Sequence, residues 1–94
     1  MQKFLIRREI PGAGKLTPEE LQGIAARSNK VLAELNHEGR DVQWIQSFVS
    51  DNEIMCVYLA PDADTLREHA MRGSFPANAI TPVGTTIDPL TANS

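Results

Sequence analysis

Cysteine is almost missing from this sequence: Cys56 is the only one in 94 residues. One thiol excludes an internal disulfide framework and makes a reducing cytoplasm the expected compartment. Histidine is nearly as scarce, with only His37 and His69. Long apolar runs are absent too. The opening "MQKFLIRREI" is interrupted by arginine after three apolar residues, so it lacks the core of a signal peptide, and no stretch approaches membrane-spanning length. Clustered positive charge is also missing. The nine Lys and Arg residues are scattered, only Arg7 and Arg8 are adjacent, and the net charge is −3. A phosphate-binding surface needs such clusters, so neither nucleic acid nor membrane is an expected partner.

The 41% apolar and 22% charged residues suit one small folded domain, expected over residues 1–89 with a frayed tail at 90–94. "KFLIRREI" alternates as a strand does, with Phe4, Ile6 and Ile10 on one parity and Lys3, Arg7 and Glu9 on the other. "PGAGKL" is a loop. It fails the phosphate-loop pattern, because Glu9 stands where the first glycine is needed and Leu16 where Ser or Thr is needed. Thr17, Pro18 and Glu20 then mark a capped helix start. Leu21, Ile24, Ala25, Ser28, Val31, Leu32 and Leu35 follow at helical spacing, and Asn36 to Gly39 form a stop. "VQWIQSFV" and "IMCVYLA" read as a hairpin across "SDNE". Asp62 caps a second helix whose core face is Leu66, His69 and Ala70, and Gly73 closes it. "AITPVGTTI" is a weaker strand, placed at an edge by its proline.

This order, β-α-β-β-α-β, predicts an α+β ferredoxin-like fold: a four-stranded antiparallel sheet with two helices on one face. The other face needs a cover, most simply a second copy of the chain, giving a homodimer of the dimeric α/β barrel type. The alternation predicts Phe4, Ile6, Ile45, Val57 and Leu59 beneath the helices. Leu5, Arg7, Glu9, Trp44, Gln46, Phe48, Cys56 and Tyr58 are then expected on the open face. That mixture suits either a dimer interface or a polar-walled pocket. His69 would lie on the helix side, apart from Cys56 unless a bulge shifts the parity.

Several long segments carry a further likeness. "KFLIRREIPGAGKLTPEELQGIAARS", "VQWIQSFV", "CVYLAPDADTLREHAMRGSFPAN" and "IDPLTA" together resemble a family of small bacterial proteins classed as a domain of unknown function, which includes a nickel-binding protein. The resemblance implies a ferredoxin-like homodimer and nickel binding. It weakens at Phe48, at "DNEIMC" and at "NHEGRD".

Candidate ligands for such a metal are His69, Cys56 and His37. Neutral imidazole suits nickel and also general-base chemistry, whereas a helix-face histidine can equally be a satisfied core residue. A lone buried cysteine commonly acts as a small hydrophobe. Two imidazoles and one thiol per chain cannot complete an octahedral or square-planar site. Two functions therefore stand. The first is a small cytoplasmic nickel-binding homodimer for sequestration or delivery. The alternative is a cofactor-free binding protein or enzyme, of isomerase, cyclase or oxygenase type, using a pocket of Arg7, Glu9, Trp44, Cys56, Tyr58 and His69 at the sheet or dimer interface.

Overall fold

A computed structural model describes residues 1–93. The elements follow the predicted order: β1 (Gln2–Glu9), α1 (Pro18–His37), β2 (Gln43–Val49), β3 (Glu53–Ala60), α2 (Ala63–Gly73) and β4 (Ala79–Pro82). The four strands form one antiparallel sheet in the order β2-β3-β1-β4, the ferredoxin-like arrangement. β4 pairs with β1 at the sheet edge and ends on Pro82, where a missing N–H costs no ladder bond. No described helix is long and apolar enough to cross a membrane.

The local signals act where the chain shows them. The Thr17 hydroxyl accepts the Glu20 N–H while the Glu20 carboxylate accepts the Thr17 N–H, a full capping box with Pro18 in the first turn. Asp62 caps α2 by accepting the Thr65 N–H at 2.8 Å. At the other end of α2 the left-handed residue is Ser74, not glycine. Gly73 is required for a different reason: a Cβ there would collide with the Phe75 ring. Of the tail expected to fray, residues 90–93 belong to a short exposed 3₁₀ turn, Pro89–Asn93, and residue 94 lies outside the described residues.

The core lies between the helices and one sheet face. Val31, Leu32, Leu35 and Leu66 of the helices pack with Phe4, Ile6, Ile54, Cys56, Tyr58 and Ala60. This corrects two of the strand assignments. On β3 the residues under the helices are Ile54, Cys56, Tyr58 and Ala60, while Met55, Val57 and Leu59 take the opposite face. On β2 the register slips between Trp44, which pairs with Tyr58, and Gln46, which pairs with Val57. That bulge leaves Ile45 50% exposed and turns Trp44 and Ser47 toward the helix side, where they sit opposite Tyr58 and Cys56. β3 is apolar on both parities, so alternation alone gave no way to choose its inner face.

Candidate functional site

The helix-covered face is not filled to the sheet's end. Between α1, the loop after β1 and the segment after α2 lies a half-open cleft of about 590 Å³. The sheet supplies its floor through Arg8, Trp44, Ser47, Ile54, Cys56 and Tyr58. α1 supplies an apolar wall of Leu21, Ile24 and Ala25, followed by Arg27 and Ser28. Phe75 and Pro76 close the remaining side.

Arg8 is the residue that departs most from an ordinary core. It occupies the same parity as Phe4 and Ile6 and is only 3% exposed. Its Nη1 donates to the Pro76 carbonyl at 2.7 Å. Its Nη2 is buried with no hydrogen-bond partner, and no ion pair reaches Arg8 from any described carboxylate. The guanidinium lies 5.3 Å from the centre of the Phe75 ring, and Arg27 lies 4.6 Å from the same ring. Cation–π attraction of this kind is worth about 0.5–2 kcal/mol, far less than a paired counter-ion in a desolvated site.

A chain of polar groups runs inward from the cleft. The Tyr58 phenol faces both Ser28 and Arg8. Burial raises its pKa, opposed by those two neighbours, so it is a neutral donor at physiological pH. The Ser28 hydroxyl is 3.0 Å from His69 Nε2. His69 is completely buried, its ring 5.3 Å from Tyr58 and 5.5 Å from Phe75 between centres. Burial, and secondarily the Arg8 charge, lower its pKa to about 4, so the imidazole is neutral at pH 7. Its Nδ1 has no partner among the described residues. Trp44 extends the aromatic floor, stacked on Tyr58 with ring centres 6.4 Å apart and its indole N–H bonded to Ser47 at 2.9 Å.

The structure divides the predicted pocket residues. Trp44, Cys56 and Tyr58 line the cleft together, on the helix side instead of the open face, and His69 stands behind them. Arg7 remains on the open face, bonded to Glu53 at 2.8 Å and to Glu9 at 3.0 Å. It therefore cannot activate the Cys56 thiol. Glu9 contributes to the cleft mouth, but its carboxylate is held by Arg7 and Asn78. Arg8, Ser28 and Phe75 were not predicted. The signal for Arg8 was present: a guanidinium on the parity of two core residues.

The three expected metal ligands do not make a site within one chain. His69 is sealed and bonded to Ser28, Cys56 is buried in the sheet, and His37 is exposed at the end of α1. Among the described residues, no three His, Cys, Asp or Glu side chains are grouped to hold a metal. The chain's donor set does not fit a closed intramolecular nickel centre.

Comparison with known proteins fixes the family. Residues 4–83 match the model described as "Nickel responsive protein SCO4226-like". The chain belongs to the SCO4226-like family. Its fold is similar to the crystal structure of SCO4226 from Streptomyces coelicolor A3(2), with a TM-score of 0.74 at 18% identity, covering 90% of this chain and 99% of that one. No curated protein matches. For this SCO4226-like chain, an identity that low establishes the shared fold and nothing finer.

Proposed function

We propose that the protein binds a small organic molecule in the cleft between α1 and the sheet. The observation that carries this reading is the gathering of Trp44, Tyr58, Ser28 and an unpaired, buried Arg8 around one apolar-walled space of about 590 Å³. That size falls in the range of small-molecule pockets, and a few convergent polar groups among apolar walls are their usual chemistry. A thermal-shift screen of small acids, amines and alcohols should find ligands that raise the melting temperature. Ala25→Phe, which fills the cleft from α1, should abolish those shifts. No hit in the unmodified protein, or hits that survive Ala25→Phe, would sink the reading.

The family description, nickel responsive, supports a second reading, a role in nickel handling, which we propose is carried out by a cytoplasmic homodimer. Exposed Phe48 and half-buried Leu5, Met55, Val57 and Leu59 on the open sheet face are consistent with burial against a second copy. Since no three donor side chains are grouped among the described residues, nickel would be held by exposed His37 together with donors from another copy of the chain that meets it at the end of α1. Calorimetric nickel binding should be lost in His37→Ala and unchanged in His69→Ala. Loss in His69→Ala alone would contradict this arrangement.

A further inference from the structure

Arg8 is a guanidinium cation, yet it is 3% exposed and has no ion pair with a described carboxylate. Buried charges in stable proteins are paired, because desolvating one alone is costly. Here a second arginine, Arg27, lies 4.6 Å from the centre of the same Phe75 ring and adds to the positive potential. An anion entering the cleft would supply the missing counter-charge. The unpartnered Nη2 is itself buried, so an entering group meets it as the guanidinium shifts, with the neutral Tyr58 phenol as the neighbouring donor. The walls beyond them are mainly hydrocarbon or aromatic, through Leu21, Ile24, Trp44 and Ile54, with Ser47 beside Trp44 and Glu9 at the mouth held by Arg7 and Asn78.

We propose that the cleft is a site for an organic monocarboxylate with an apolar body, its carboxylate accepting from Arg8 Nη2 and the Tyr58 hydroxyl while its hydrocarbon lies along Trp44, Ile54 and the Leu21–Ile24 face of α1. This rests on the cleft being a ligand site and adds the charge and class of its occupant. A monocarboxylate is favoured over a phosphate because Arg8 is the one buried cation of the cleft, whereas Arg27 is exposed to solvent. A second negative charge would be left buried without a partner.

Trp44 is the only tryptophan and lines the cleft, so its fluorescence reports occupancy directly. Octanoate and 3-phenylpropanoate would be titrated against the full chain, beside octanamide, 3-phenylpropanamide and octyl phosphate. Both acids should bind at least roughly tenfold more tightly than their amides, the usual effect of a charge-assisted hydrogen bond in a shielded site. Arg8→Gln should erase that preference. Should Arg8→Gln fail to fold, the acid-to-amide ratio in the unmodified protein and Tyr58→Phe, expected to weaken the acids severalfold, still decide. Equal affinity for acids and amides overturns the carboxylate assignment but leaves the cleft a ligand site. Tighter binding of octyl phosphate overturns the choice of anion. No binding of any of the five overturns both the inference and the reading beneath it.

Discussion

Arg7 and Arg8 are neighbours in sequence and opposites in environment. Arg7 points to the open face, half-exposed, and is held by two carboxylates, Glu9 and Glu53. Arg8 points under the helices, is buried, and is held by one carbonyl and the face of a phenylalanine. Pairing is worth little in water and much in a desolvated site. The chain has thus put its carboxylates where they matter least for stability and withheld them where they matter most. Such an arrangement is costly for a structural arginine and reasonable for one that awaits an anionic ligand, the general trade between stability and function.

The largest effect expected from the helix side is its response to acid. His69 has its pKa lowered to about 4, against 6.5 when unfolded. The unfolded chain therefore takes up the proton first, and stability falls as pH drops from 6.5 toward 4, then levels. The loss amounts to roughly 3 kcal/mol. Urea unfolding at pH 7 and pH 4.5 should show most of this in the unmodified protein. His69→Gln, which retains a partner for Ser28, should show much less pH dependence.

Next in size is Gly73→Ala. The added methyl meets the Phe75 ring, which is stacked on His69 and contacted by the Arg8 and Arg27 guanidinium groups. Moving that ring should cost about 1–3 kcal/mol by denaturant unfolding and weaken any ligand that depends on Arg8. A change below about 0.5 kcal/mol would mean Phe75 moves freely and does not position the cleft.

Smaller still is the ligand-free effect of Arg8→Met. Breaking a buried ion pair commonly costs 3–5 kcal/mol, but Arg8 has no pair to break. Its removal should change stability by no more than about 1 kcal/mol, the balance between a relieved charge and a Pro76 carbonyl left unpaired. A loss above about 3 kcal/mol would show that Arg8 is a structural group after all. Arg7→Gln, on the exposed side, should change stability by about 0.5 kcal/mol or less despite two ion pairs.

Much of this architecture was legible in the sequence. The capping box at Thr17–Glu20, the Asp62 cap and the "SDNE" turn each act locally, so their residues state the outcome directly. The strand faces were harder. Ile54 to Ala60 is apolar on both parities, and the bulge at Ile45 reverses the alternation of β2 partway along. That one bulge moved Trp44, and the inner parity of β3 moved Cys56 and Tyr58, from the open face to the side of His69. Arg8 was readable from its parity with Phe4 and Ile6. Ser28 likewise sat in the apolar row of α1, where a hydroxyl needs a partner such as His69. Phe75 could not be placed, since its position depends on a left-handed Ser74 and the close approach allowed by Gly73.

The contrast between the two arginines can be observed directly by NMR. In protein labelled with ¹⁵N, the Nε–H resonances of Arg7 and Arg8 report each guanidinium separately. Adding octanoate should shift the Arg8 signal in a saturable way and leave that of Arg7 unmoved. If the Arg8 signal stays fixed throughout the titration, or if Arg7 moves in its place, the buried arginine is not awaiting a carboxylate and the account of the cleft is wrong.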